Sequence, residues 1–252
     1  MNRKVWLGVL LALAMGWNTS AATGQSRKEI ININADLQIR RIADHIYMYT
    51  EWADMGKWGR VGCNGLVVTD GRKGFLIDSP TTPEQTASLS QWLENTLRVK
   101  LKGFVPGHWH ADCTGGLEWL NGQGVRTYAG ERTNKILAEK GLPVAKQTFA
   151  DSLVIRLGKT RIACYYLGGG HATDNIVVWI PAEKVLFGGC MIKDTESAAI
   201  GNTSDAAPLS EWLNTVEKTE NRFPQARIII PGHGEQGGKE LFRHTKEILK
   251  AN

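Results

Sequence analysis

Four times along the 252-residue chain an apolar run meets glycine and delivers a histidine or cysteine: LKGFVPGHWHADC, LGGGHATDN, LFGGCMIKD and IIIPGHGEQGG. Short apolar runs bounded by glycine read as strands, so each of these side chains falls in a loop just after a strand. Loops at one edge of a set of sheets can gather them. That placement constrains the fold more than any figure of composition does.

The remaining sequence supplies the sheets and helices. After a polar lead-in from Thr23 to about Asn34, LQIRRI, HIYMYTEW, VGCNGLVVTD and GFLIDSP read as strands separated by Gly-rich turns. In TPEQTASLSQWLENTLR, Pro83 follows a Thr cap, and Ala87, Leu89, Trp92, Leu93 and Leu97 recur at helical spacing, which predicts one helix. Strands LKGFVP and VRTYA then alternate with helices at GLEWLNG and RTNKILAEK. The chain returns to strands at SLVIRLG, RIACYYLGG, NIVVWIP and KVLFGG, and closes with helix LSEWLNTVEKTENRF, strand ARIIIPG and helix KELFRHTKEILK. Strand-rich and then alternating, twice over, suggests an α/β fold of two similar halves packed face to face with helices outside. The length suits one large domain, and 42% apolar residues, 22% charged residues and no low-complexity tract leave little room for disorder.

At the N-terminus, Arg3 and Lys4 precede an apolar run from Val5 to Trp17 and small residues ending in Ala21 and Ala22. This reads as a cleavable secretory signal over residues 1–22, with the folded domain at 23–252. The apolar run is shorter than the roughly 20 residues a membrane span needs, and no cysteine follows it to carry a lipid, so no membrane anchor is expected. Two of the positive charges behind the formal +5 belong to Arg3 and Lys4; the others are scattered among acids, as in ERTNK and VEKTENR, which is no nucleic-acid footprint. In an oxidising compartment four cysteines would ordinarily suggest two disulfides. Cys113 and Cys190, however, sit inside the glycine-flanked motifs, while Cys63 and Cys164 lie in apolar runs as small buried hydrophobes.

His108, His110 and Asp112 are spaced two apart, and on an extended loop such residues point the same way, so two imidazoles and a carboxylate converge. Convergent nitrogen and oxygen donors are what zinc takes, and the following Gly115–Gly116 lets the chain turn close to a metal. His171, Cys190 and His233 are three more candidates in the same setting. His45, in a strand pattern, and His244, on the last charged helix, read as structural.

HWHADC, GGGH, GGC and PGHG in this order and spacing resemble the metallo-β-lactamase superfamily, and the resemblance spans essentially the whole chain after the signal. It implies a four-layer αββα sandwich with a binuclear zinc site between its sheets, two zincs per chain. His108, His110 and His171 resemble the first zinc site; Asp112, Cys190 and His233 resemble the second. Most hydrolases of this fold carry a His directly after the motif Asp and an Asp where this chain has Cys190. Cys113 and Cys190 at those places are similar to subclass B1, the β-lactamases in which a cysteine thiolate, a soft zinc ligand, serves the second metal. Arg or Ser is the more familiar occupant of the Cys113 position, and on an extended loop Cys113 is expected to point away from the metal.

The resemblance implies hydrolysis of the β-lactam amide of penicillins, cephalosporins and carbapenems by a metal-bound hydroxide, with antibiotic resistance as the outcome in the periplasm. No GxSxG nucleophile motif competes with it. Lys193 is then placed to hold the substrate carboxylate, Asn202 to donate to the oxyanion, and EWADMGKWGR to form a covering hairpin with Trp52, Met55 and Trp58 as its apolar contacts. Asp112 both binds and orients. A thioester or lactone hydrolase of the same fold is disfavoured by Cys190 and Lys193. A nucleic-acid-processing hydrolase is disfavoured by export and scattered charge, and a zinc-binding protein without catalysis remains the alternative of a different class. Small-molecule lactams are the expected partners, and the expected acting unit is a monomer.

Overall fold

Hairpins in chain order build the first sheet. In the computed structural model, which describes residues 29–252, β1 (Ile30–Asn32), β2 (Leu37–Ala43), β3 (Ile46–Asp54), β4 (Arg60–Asp70) and β5 (Lys73–Ile77) pair antiparallel, each with its predecessor. The secretory segment expected at 1–22 lies outside the described residues. Crossovers follow: β6 (Lys100–Val105), β7 (Arg126–Gly130) and β8 (Gln147–Phe149) run parallel to their neighbours, to complete eight strands. Parallel neighbours need connections long enough to return the chain. Here these are α1 (Pro83–Trp92), then α2 (Ala111–Thr114) with α3 (Leu117–Gly122), then α4 (Glu131–Glu139).

The second sheet has five strands. β9 (Ser152–Leu157), β10 (Thr160–Tyr165), β11 (Val177–Ile180) and β12 (Val185–Gly189) form an antiparallel meander, and β13 (Ile228–Pro231) joins β12 in parallel after the helix α5 (Leu209–Arg222). A last helix, α6 (Glu240–Ala251), ends the chain. Every residue of β11 and β12 is buried, as expected of strands covered on both faces.

Three apolar layers hold the sandwich together. Between the sheets, Ile46, Leu66, Phe75 and Val105 belong to one cluster with Ile162, Val178, Phe187 and Ile230. Tyr49, Leu76 and Phe104 on the other face of the first sheet meet Leu89, Leu93, Leu117 and Leu137 of its helical layer. Leu186 and Ile229 meet Trp212, Val216, Phe242 and Leu249 under α5 and α6. Trp212, Thr215, Val216 and Thr219 form the buried stripe of α5 at i, i+3, i+4 and i+7. The result is the helix–sheet–sheet–helix order expected from the sequence.

Three local expectations change. The lead-in contains β1, whose side chains are exposed and whose pairing with β2 is carried by the backbone, so no apolar alternation marks it. The long helix predicted after Pro83 is regular only to Trp92; Leu93–Leu97 widen into a looser turn that Arg98 stops in the left-handed conformation, φ 57°. Strand β8, only three residues long and mostly exposed, carries too little pattern to be read.

Candidate metal centre

Backbone pairing brings the four glycine-flanked loops together. Beyond β6, Gly107 donates its N–H to the Asp78 carboxylate after β5, and its carbonyl accepts from Ile176 of the β10–β11 loop, which carries His171. That fixes the His108 loop against the His171 loop. In the second sheet Gly189 pairs with Pro231 across the parallel β12–β13 ladder, so Cys190 and His233 leave adjacent strand ends. Gly232 is needed there, since a Cβ on it would lie 2.4 Å from Cys190 Sγ. Asn64 of β4 joins the sheets at this edge: its N–H donates to Gly232 O (2.8 Å), and its side-chain amide donates to Pro231 O (3.1 Å) and Gly234 O (2.8 Å).

Two groups of donor atoms result. His110 Nδ1 lies 2.8 Å from His108 Nε2 and 3.3 Å from His171 Nε2. Asp112 Oδ2, Cys190 Sγ and His233 Nε2 lie 3.4 Å from one another in each pairing. Donors on a tetrahedral zinc, with bonds of about 2.0–2.3 Å, stand about 3.3–3.8 Å apart, which the second group matches and the first approaches. Asp112 Oδ1 is buried without a hydrogen-bond partner and sits 3.8 Å from His108 Nε2, between the groups. A carboxylate oxygen, a sulfur and a ring nitrogen at 3.4 Å from one another, beside three clustered ring nitrogens, are a donor set that a cation can satisfy, so the residues fit metal.

The ring nitrogens facing away are anchored. His233 Nδ1 is 2.9 Å from Gly62 O, His110 Nε2 is 3.2 Å from Asp205 Oδ2, and His108 Nδ1 is 3.1 Å from Cys113 Sγ. Such partners set the tautomer and aim the other nitrogen.

At His110, His171, Asp112 and Cys190 the electrostatics suit the same role, whereas the neighbouring negative charges raise His108 and His233 despite their burial. Burial, and then the His108 charge, lower the pKa of both His110 and His171, which favours the neutral ring a metal needs. Burial would raise Asp112, but the His233 hydrogen bond and the His108 charge hold it far below the carboxylate range. Cys190 is held well below the ordinary thiol value by a hydrogen bond with Cys113, against its burial, with the His233 and His108 charges helping. Cys113 itself is raised well above, chiefly by burial. Burial pushes Asp78, beside this cluster, up to about 8.

The local backbone departs from the expected extended loop. His110 has extended angles, but Ala111–Thr114 form α2, where the N–H groups of Cys113 and Thr114 each donate to His110 O at 3.0 Å. Asp112 therefore reaches the cluster from a helical turn. Cys113 faces His108 and Cys190 instead of pointing away, because successive residues on a helix are not on opposite faces. Gly115 and Gly116 serve packing: Cβ atoms there would lie 2.0 Å from Thr81 O and 2.1 Å from Thr86 Oγ1.

Above the donors lies a cleft of about 520 Å³ whose lining includes His110, Asp112, His171, His233, Lys193 and Asn202. Lys193 is only 8% exposed, its Nζ 5.4 Å from the centroid of the Trp212 ring, and burial lowers its pKa. Asn202 Oδ1 accepts from Ser204 N (3.1 Å), a local turn, which leaves the amide nitrogen as its donating end. Met55, Trp58 and Val61 of the β3–β4 hairpin line the cleft. Trp52 instead lies 5.8 Å from the Arg60 guanidinium and lines a neighbouring groove of about 330 Å³. His244 Nε2 is bonded to Ser197 O, and His45 lends its carbonyl to Thr69 N–H, both apart from the donor groups.

Sequence reasoning missed several neighbours. Cys63 on β4 has its sulfur in one group with ligand atoms of Asp112 and His233, all within 4.8 Å of one another. An apolar run gives no signal for that. Asp205, three residues after Asn202, and Asp78, at a strand end before Ser-Pro, look like ordinary loop acids until their partners are known.

No protein-family model matches the chain. A metallo-beta-lactamase type 2 of Bacteroides fragilis is 46% identical over 219 residues, 87% of this chain and 88% of the relative. A metallo-beta-lactamase type 2 of Pseudomonas aeruginosa is 36% identical, over 84% of each chain. Among solved structures, a metallo-beta-lactamase from Pontibacter korlensis superposes with a TM-score of 0.82 at 33% identity, covering 86% of this chain and 100% of that one. With identity of that level over nearly the whole length, the same layered fold and a cysteine in the second donor group, this chain belongs to the metallo-β-lactamases, in their subclass B1.

Proposed function

We propose that this protein is a zinc-dependent β-lactamase that opens the amide ring of penicillins, cephalosporins and carbapenems, and that it carries two zincs per chain. His108, His110 and His171 would hold one, and Asp112, Cys190 and His233 the other. The observation that carries the reading is the pair of donor groups side by side at the floor of one cleft, the second with three mutual spacings of 3.4 Å. Zinc, when bound, lowers the pKa of a coordinated water towards neutrality and polarises a carbonyl oxygen, so neither a serine nucleophile nor a triad is required.

The chain's own residues supply the rest. Asp112 Oδ1, free of protein partners, is the acceptor that holds and orients a proton of the attacking water. The Lys193 ammonium on the cleft wall pairs with the carboxylate next to the lactam nitrogen. The Asn202 amide donates to the oxyanion as the carbonyl becomes tetrahedral. Met55, Trp58 and Val61 form an apolar wall that excludes water from the bound ring. A signal over residues 1–22 exports the folded domain, residues 23–252, to the periplasm. No helix among the described residues is long and apolar enough to cross a membrane.

The test is turnover of a chromogenic cephalosporin by zinc-loaded protein, with and without excess chelator, beside metal analysis. Loss of turnover on chelation, its return with zinc and two zincs per chain are expected. Full turnover in excess chelator overturns the reading. Clavulanate, which traps serine enzymes, is expected to have little effect because no acyl-enzyme forms.

A further inference from the structure

Three of the four cysteines lie around the second donor group, and of these only Cys190 belongs to the proposed ligand set. Cys190 Sγ is 3.4 Å from Asp112 Oδ2 and from His233 Nε2. Cys113 Sγ is engaged at 3.1 Å by His108 Nδ1 on the side of the first donor group. The Cys63 sulfur is different. Its contact with the backbone is long, 3.9 Å to Val61 O, while its distances to ligand atoms of Asp112 and His233 fall within 4.8 Å.

The backbone keeps Cys63 there. It sits on β4 opposite Glu51 of β3, is 3% exposed, and precedes Asn64, which is hydrogen-bonded to three residues of the β13 end and its loop. Gly62, on its other side, is fixed by His233 Nδ1. A thiol on so constrained a backbone has only small adjustments open to it, and the cluster is what it faces.

We infer that Cys63 is a second thiolate ligand available to the metal position formed by Asp112, Cys190 and His233, making that position a two-thiolate site for thiophilic divalent cations such as Cd²⁺. The inference rests on the proposal that those three residues hold a metal. Two thiolates on a tetrahedral zinc stand about 3.8 Å apart at a Zn–S distance of about 2.3 Å. A larger cation spreads its donors further, and Cys63 already has its sulfur within 4.8 Å of ligand atoms of Asp112 and His233. Soft thiolate ligands select soft cations. Each thiol loses its proton on binding, so Cys–SH and M²⁺ give a Cys–S–M bond and one H⁺, and the cation's charge offsets the cost of a buried thiolate. Lys193, buried in the adjoining cleft, adds positive charge near Cys190 and Asp112.

The test titrates Cd²⁺ into the metal-depleted full chain and reads the sulfur-to-cadmium charge-transfer absorption, which grows with the number of bound thiolates. Nitrogen donors give no such band, so metal at the three-histidine position is silent. Wild type is expected to show about twice the amplitude of Cys63→Ser or Cys63→Ala. Cys190→Ser is expected to keep about half, and Cys113→Ser all of it, with circular dichroism checking that each variant is folded. A Cys190→Ser protein with no band, beside a Cys63→Ser protein equal to wild type, overturns the inference and leaves the metal assignment standing. Halving in Cys113→Ser but not in Cys63→Ser also overturns it. No band in wild type overturns the metal assignment itself.

Discussion

Replacing Lys193 with Ala separates substrate binding from the metal chemistry. The residue is 8% exposed, with its Nζ over the Trp212 ring, so solvent screens it little. Its backbone N–H donates to Thr245 Oγ1 at 2.9 Å, a bond that the substitution leaves in place. A charge-assisted hydrogen bond to a carboxylate contributes about 1.5–3 kcal/mol, and at about 1.4 kcal/mol per factor of ten this becomes roughly a 10- to 150-fold effect. The carboxylate keeps its charge while the ring opens, so the contact is shared by ground and transition states and its loss is expected in KM more than in kcat. The assay is steady-state hydrolysis of a penicillin, a cephalosporin and a carbapenem by wild type, Lys193→Ala and Lys193→Met, with an esterified cephalosporin as control. KM is expected to rise for the three acids and to stay level for the ester, with zinc content unchanged. A KM that does not move for any of the acids, or that rises equally for the ester, refutes the reasoning and returns Lys193 to a structural role against Trp212.

Cys113→Ser is expected to slow the loss of zinc-restorable activity when metal-depleted protein is treated with peroxide, because the neighbouring thiols of Cys113 and Cys190 and one peroxide give a disulfide and two waters; zinc-restored activity after timed oxidation, without reductant, measures it, and equal loss in both proteins makes Cys113 a bystander. Trp58→Ala, at the 51% exposed hairpin tip, is expected to raise KM several-fold with stability changed by no more than about 0.5 kcal/mol; an unchanged KM removes Trp58 from the substrate wall. The Asp70 carboxylate accepts from Lys159 N, Thr160 N and Thr160 Oγ1, bonds that hold its pKa below the usual value, the Lys159 N–H foremost. A depressed carboxylate stabilises the fold above its unfolded pKa of about 3.9 and loses that contribution as pH falls through the folded value. Asp70→Ala is therefore expected to unfold at lower denaturant than wild type near neutral pH, with the gap narrowing below about pH 4; a gap that widens on acidification contradicts the assignment.

The sequence alone was enough to single out His108, His110, His171, Cys190 and His233 as candidate metal ligands. Each motif is announced locally, by glycine within it and an apolar strand before it, and the side-chain chemistry of His and Cys is the same wherever the chain carries it. The layer order was legible too, since strand and helix periods show which faces must be covered. Residues whose role depends on what stands opposite were not. Cys63 has the pattern of a core residue, and only the stacking of β4 against the β13 end turns its sulfur towards Asp112 and His233. Lys193 looks exposed beside Asp194, yet the packing of α5 puts Trp212 beneath it. Asp205 reaches His110 across 95 residues. Asp112 stands beside His233, but a four-residue helix too short to show periodicity, not the extended loop expected, delivers it there. Local sequence determines backbone preference and the chemistry each side chain carries. Which of them meet was decided by the parallel pairing of β12 with β13 and by the packing of one sheet on the other, contacts between residues far apart in the chain that no local pattern encodes.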